Sequence, residues 1–281
     1  MHLLRLAAAS LAALLLAFPV AAQQKPKPNQ AYEPQVGQAG KDVIWVPTPD
    51  EVVDRMLRMA QVTSNDYVID LGAGDGKIAI AAAKKFGARA LGIEYNPDMV
   101  KHAMRNAEKA GVVGKARVVH GDIFQSDFTQ ATVITMYLLP ALNLKLRPQI
   151  LALRPGTRVV SHSFNMEDWE PDETSTFDGR SAYLWVVPAN VTGTWALEAG
   201  GERMDISLEQ RFQKLSGTIG LTPLLRAGLR EPHLRGLVIS FAYVDNNGMR
   251  RDFAGRIIGN RMEGSFRGDN NSEGRWSASK K

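Results

Sequence analysis

The sequence predicts an α/β chain: a doubly wound, largely parallel sheet with helices on both faces, followed by a small antiparallel β-domain. Three observations carry that expectation. Short, nearly continuous apolar runs alternate with amphipathic stretches from residue 50 to residue 163, as strands buried on both faces and joined by crossover helices would read. Gly87, Gly111 and Gly156 fall where helices should stop, and Pro97 where one should start. After residue 189 the texture changes to short β-prone runs separated by breaks rich in Gly and Asn.

In chain order, residues 1–22 place Arg5 ahead of an apolar run and end on the small residues Val20-Ala21-Ala22. This reads as a secretory signal peptide cut after Ala22, with the mature chain exported to the periplasm. The competing reading is an uncleaved membrane anchor through residues 3–22, close to the lower limit of about 18 residues for a spanning helix; membrane association would require it. Residues 23–41, rich in Gln, Pro, Lys and Gly, read as a flexible tether. Thr48-Pro49-Asp50-Glu51 has the spacing of a capping box with Pro at the first helical position, so a helix is expected to about Ala60. Strands are expected over 67–71, 88–94, 116–120, 131–137 and 158–163, with helices over 77–86, 97–110 and 139–153. These elements make one domain, 42–189.

Residues 190–281 supply candidate strands at 191–197, 205–212, 237–244, 252–258 and 262–266. Asn247-Gly248 between two of them is a hairpin signal. A meander or partial barrel is the expected result; the alternative is that some of these strands extend the first sheet.

The chain has no cysteine, which excludes disulfides, thiolate metal sites and cysteine nucleophiles. Residues 23–189 hold 19 basic and 19 acidic side chains, whereas 190–281 hold 14 and 10, so the basic excess lies in the β-rich part. Those basic residues are not clustered with aromatics, which speaks against a nucleic-acid partner. No metal site, phosphate loop or Ser-His-Asp order is evident.

The chemistry points elsewhere. Asp70-Leu71-Gly72-Ala73-Gly74-Asp75-Gly76 joins the end of an apolar strand to a helix start, where glycines let the backbone turn tightly and approach a ligand. A dinucleotide fingerprint would need glycine at position 77, and Lys77 is there; a nicotinamide-dependent oxidoreductase is therefore disfavoured. Glu94 ends the next strand, 18 positions after Gly76, and Gly121-Asp122 follows the third. All three features fall at the carboxyl ends of parallel strands, where open α/β sheets bind ligands.

The spacing of Gly72, Gly74 and Gly76 behind Asp70 resembles the cofactor motif of class I methyltransferases. That resemblance implies a Rossmann-like methyltransferase sheet and S-adenosylmethionine as cofactor, held by Asp70, Gly72, Gly74, Gly76, Glu94 and Asp122. Glu94 would take the ribose hydroxyls and Asp122 would lie near the adenine amino group. With Val46-Pro47-Thr48-Pro49, Met56-Leu57-Arg58-Met59-Ala60 and Gly92-Ile93-Glu94-Tyr95-Asn96-Pro97 included, residues 44–170 are similar to the mitochondrial lysine methyltransferases that modify the ATP synthase c-subunit and the adenine nucleotide translocase. A protein lysine is the acceptor this implies, although the acceptor is not identified by any motif.

The end of the fourth strand, Thr135-Met136-Tyr137-Leu138-Leu139-Pro140, lacks the Asp/Asn-Pro-Pro-Tyr motif of amide and base methyltransferases. Its position makes Tyr137 the candidate catalytic residue lining the acceptor site; an aromatic packed over the strand end is the competing reading. His162 could serve as a general base or as a buried structural histidine. Asp168, Trp169 and Glu170 could edge the acceptor cleft. The expectation is an enzyme that methylates an unidentified acceptor, against the alternative of an exported, non-catalytic binding protein that retains the fold.

Overall fold

The computed structural model describes residues 32–269 and 271–281. The expected signal segment and residues 23–31 of the tether lie outside the described residues. The first sheet has the order β3-β2-β1-β4-β5-β7-β6. Its parallel part comprises β1 (Tyr67–Leu71), β2 (Arg89–Glu94), β3 (Ala116–His120), β4 (Val133–Met136) and β5 (Arg158–His162). Reversal of order between β1 and β4 opens a crevice at their carboxyl ends, the switch point at which such sheets bind ligands.

α1 (Asp50–Met59), α2 (Lys77–Phe86) and α3 (Pro97–Lys109) cover one face. There Val53, Met56 and Leu57 of α1 and Ala79 and Ala82 of α2 pack with Val68, Val133 and Val160 of the strands. α4 (Pro140–Leu151) covers the other face, with Leu146 and Ile150 set against Ile69, Ile134 and Val159. The alternation of Val68 and Ile69 between the two cores is the period of a strand buried on both sides.

Two local features depart from the sequence reading. The capping box does not form: Pro49 is the N-cap and no side chain caps α1. Thr48 is buried instead, its hydroxyl hydrogen-bonded to His162 Nδ1 at 3.2 Å, and a buried imidazole has a stronger claim on that hydroxyl than amides that water can reach. The sheet is also mixed, because a hairpin of β6 (Glu173–Phe177) and β7 (Arg180–Val186) lies antiparallel on β5. Its signal was present in Asp178-Gly179, both at positive φ, the residue pair favoured in tight hairpins.

The remaining strands form a separate, nearly closed antiparallel sheet. They are β8 (Gly193–Ala199), β9 (Glu202–Arg211), β10 (Lys214–Thr222), β11 (Leu225–Gly228), β12 (Arg230–Arg235), β13 (Val238–Val244), β14 (Arg250–Ile258), β15 (Arg261–Gly268) and β16 (Glu273–Lys280). Their order is β11-β10-β9-β8-β16-β15-β14-β13-β12. Pairing of β16 with β8 joins two meanders, and β10 approaches β12. The interior is filled: Trp195, Phe241, Phe253, Phe266 and Trp276 pack with Ile206, Leu208 and Ile239. Such a core leaves no room inside for a ligand of drug size.

Candidate functional site

Three carboxylates stand at the ends of three adjacent strands. Asp70 on β1 is 2% exposed and accepts a hydrogen bond from Thr135 Oγ1 on β4 at 2.7 Å. Burial pushes its carboxyl up to about 7, against the pull of the Thr135 bond, with the nearby Asp75 and Glu94 adding to the rise. Glu94 ends β2 and ties two loops together, accepting from Gly74 N through Oε2 and from Asn96 N through Oε1, each at 2.9 Å. Asn96 in turn caps α3 through the amides of Asp98 and Met99. Asp122 follows β3; its Oδ1 accepts from Phe124 N at 2.9 Å and its Oδ2 from Lys41 Nζ at 2.8 Å. The Lys41 bond, with help from the Phe124 amide, holds the Asp122 carboxyl below the usual range.

The loop between Asp70 and α2 runs through positive φ at Gly72, Gly74 and Gly76. Gly74 shows why glycine is needed: at φ 54° a Cβ would lie 2.6 Å from Trp45 Nε1. Gly76 is the N-cap of α2 and sits behind the wall, against Ala103 and Val118.

Residues 37–45 lie across this loop. Gly37 N donates to Trp45 O and Trp45 N to Gln38 O, closing a turn bridged at Ala39 and Ile44. Composition assigned much of this stretch to a tether; its order comes from Trp45 on the glycine loop and from Lys41, which reaches Asp122 and lies 4.8 Å from the centre of the Tyr95 ring. The strap roofs a cavity of about 330 Å³ lined by Asp70, Gly72, Gly74, Glu94, Asp122 and Tyr137 among others. That volume is in the range of small-molecule sites, roughly 300–1,000 Å³.

Toward β4 and β5 the cavity becomes aromatic. Tyr137 lies 4.0 Å, ring centre to ring centre, from His162 and 6.2 Å from Phe164, which also lines the cavity. His162 is 3% exposed, and burial, helped by the positive charge of Arg180, lowers its pKa to about 4. The imidazole is therefore neutral at pH 7. Asn143 of α4, fully buried, donates to the carbonyls of Phe164 and Asn165 and so fixes the loop after β5.

Of the six residues expected to hold the cofactor, all but Gly76 line one cavity together with Tyr137; Gly76 stands directly behind its wall, and His162 lies against the Tyr137 ring. Asp168, Trp169 and Glu170 do not edge the cavity. Trp169 is fully buried in the core on the α4 face, and the two acids are paired with Arg147, Arg211 and Lys214. Sequence reasoning missed Lys41, Trp45, Thr48 and Asn143, each acting across a long stretch of chain. The Val46-Pro47-Thr48-Pro49 segment was the available pointer to the strap.

The residues suit S-adenosylmethionine. Glu94 keeps free lone pairs beside a glycine loop that a Cβ would fill, a second acid stands one strand further on, and the far end is apolar and aromatic. Fold and site together define a class I methyltransferase.

Comparison with known proteins agrees. Residues 70–173 match the family described as ANTKMT methyltransferase domain. A protein-lysine N-methyltransferase of Saccharolobus islandicus is 46% identical over 151 residues, 52% of this chain and 94% of that protein. The lysine N-methyltransferase of the ATP synthase c-subunit from Mus musculus is 31% identical over 172 residues, 55% of this chain and 69% of its own length. Among solved structures, an RNA methyltransferase of Salinibacter ruber in complex with S-adenosyl-L-homocysteine is 50% identical, with a TM-score of 0.51, covering 52% of this chain and 96% of that one. The chain belongs to this family of S-adenosylmethionine-dependent methyltransferases.

Proposed function

We propose that the chain methylates the side-chain amine of a protein lysine, using S-adenosylmethionine bound in the strap-covered cavity. The observation that carries this reading is the aromatic, uncharged end of the cavity around Tyr137, Phe164 and neutral His162. It is supported by the lysine acceptors named for two of the relatives.

When bound, the cofactor supplies an electrophilic methyl group on a sulfonium sulfur. Glu94 would hold the ribose hydroxyls, Asp122 the adenine edge, and the amides of the glycine loop and Asp70 the amino-acid end. What the chain must do for the acceptor is orient it, exclude water and keep it unprotonated. An apolar, aromatic wall disfavours an ammonium by desolvation and so favours the neutral amine that attacks. Tyr137 and Phe164 would flank its alkyl stem. His162, with Nδ1 occupied by Thr48, is placed as the support of the Tyr137 ring.

Calorimetry with S-adenosylhomocysteine and with NAD, followed by labelled methyl transfer to envelope proteins and to RNA, tests the reading. Heat with the former alone and label on protein lysine support it. Label on RNA replaces the acceptor, and binding without any transfer points to a non-catalytic binding protein. Export is a separate proposal from residues 1–22: a mature terminus at Gln23 supports it, and an intact Met1 in the membrane fraction supports an anchor instead.

A further inference from the structure

The nine-stranded sheet meets the first in two places: Gly236, in the turn between β12 and β13, lies against Gly156 and Val186, and the tip of the β9–β10 hairpin reaches the loop that follows β5. Phe212 and Gln213 are the two residues that turn β9 into β10. Phe212 has φ 55°, a conformation in which two-residue hairpin turns favour Gly, Asn or Asp over a bulky side chain. An aromatic residue held there needs a compensating contact, and its ring provides one, stacked on Trp169 with ring centres 5.9 Å apart and planes inclined by 21°.

The neighbours in the turn grip the same loop. Gln213 Nε2 donates to the Glu170 carbonyl at 2.6 Å, Arg211 pairs with Asp168 at 2.9 Å, and Lys214 pairs with Glu170 at 2.6 Å. From the other side, Arg147 of α4 pairs with Asp168, donates to the Met166 carbonyl, and lies over the Phe212 ring. The gripped loop begins at Ser163, itself at φ 63°, and carries Phe164 into the cavity. Among the described residues, nothing comparable joins the hairpin to the glycine loop, to Glu94 or to Asp122.

We propose that the β9–β10 turn is a positioning element for the acceptor side of the site, with Phe212 as its key residue: it fixes the 163–170 loop and through it Phe164. The acceptor half of this statement rests on the lysine reading above. The match to the family model ends at residue 173, so the hairpin lies outside the stretch shared with that family. It therefore bears on how this chain presents or selects an acceptor.

The test compares Phe212→Gly, which removes the ring and suits the positive φ, with Phe212→Tyr, which keeps the stack, both in the full chain. In Phe212→Gly, amide hydrogen exchange in residues 163–170 should rise about fivefold, the order expected for one lost aromatic pair. Exchange in residues 70–76 and affinity for S-adenosylhomocysteine should stay as in the parent. With poly-lysine as acceptor, KM should rise by a similar factor while kcat changes less, and Phe212→Tyr should restore both readouts. Unchanged exchange in 163–170, or a loss spread evenly over the sheet together with cofactor affinity, overturns the proposal. A parent chain that binds S-adenosylhomocysteine but leaves poly-lysine unmethylated overturns the lysine reading, while the exchange pattern still decides the role of the turn.

Discussion

The two rims of the cavity are built in different ways. The groups of the cofactor rim are set by local signals: Asp70, the glycine loop, Glu94 and Asp122 each lie at a strand end or within a few residues of one, and Glu94 binds amides 20 and 2 positions away, although Thr135 and the strap residue Lys41 reach that rim from a distance. The acceptor rim is assembled from afar. His162 is met by Thr48, 114 positions earlier, and the loop after β5 is held by Asn143 and Arg147 of α4 and by the β9–β10 turn. Cofactor chemistry can therefore be carried by a short, repeated arrangement of loops, while the acceptor side can be altered by what is added around it.

The largest expected effect breaks the cofactor rim alone. Glu94→Ala removes an acceptor from two backbone amides and from the ribose, and should weaken S-adenosylhomocysteine binding by about 3 kcal/mol, roughly a hundredfold. Calorimetry measures the loss, and exchange in residues 163–170 should be unaffected. A smaller effect belongs to the acceptor rim: Thr48→Val leaves His162 Nδ1 without its buried partner and should cost about 1–2 kcal/mol of stability in a denaturant melt. Cofactor affinity should be retained; a parallel loss would show that the rims are coupled.

The rims also titrate in opposite senses. Asp70 holds its proton more tightly folded than unfolded, so its contribution to stability falls as pH rises from about 4 to about 7. His162 resists protonation in the folded chain, so its contribution is lost as pH falls from 6.5 toward about 4, and stability rises with pH over that window. In the parent chain without cofactor the two slopes oppose each other. Asp70→Asn keeps an acceptor for Thr135 and removes one slope, so its melting temperature should climb from pH 4 to 6.5 more steeply than the parent's. Parallel profiles would mean that Asp70 is ionised throughout.

The smallest effect concerns the strap. Lys41 competes with an adenine edge for Asp122 Oδ2, so Lys41→Ala should tighten S-adenosylhomocysteine binding by no more than a few-fold, as expected for an exposed pair. Added salt should erase the difference. Weaker binding in the variant would make Lys41 part of the bound site.

This division also explains what was legible in the sequence. The five parallel strands, their helices and the cofactor rim were readable because apolar period, Gly spacing and strand-end acids are local signals. Within the second sheet, β10, β11, β12 and β16 were missed. In β16 the inward positions include Trp276 and Ala278 among Ser, Gly and charged neighbours, too faint an alternation to read without the partner strands. Thr48 read as a helix cap because its bond to His162 depends on tertiary approach. Trp169 and its flanking acids read as a cleft edge because nothing local announces that Phe212 covers the tryptophan.

The most direct test of the account is transfer of labelled methyl from S-adenosylmethionine to poly-lysine by the chain 23–281, with the product identified by mass spectrometry. The account predicts Nε-methylated lysine, formed by the parent and lost in Glu94→Ala. Binding of S-adenosylhomocysteine with label appearing only on RNA, or nowhere, would contradict it.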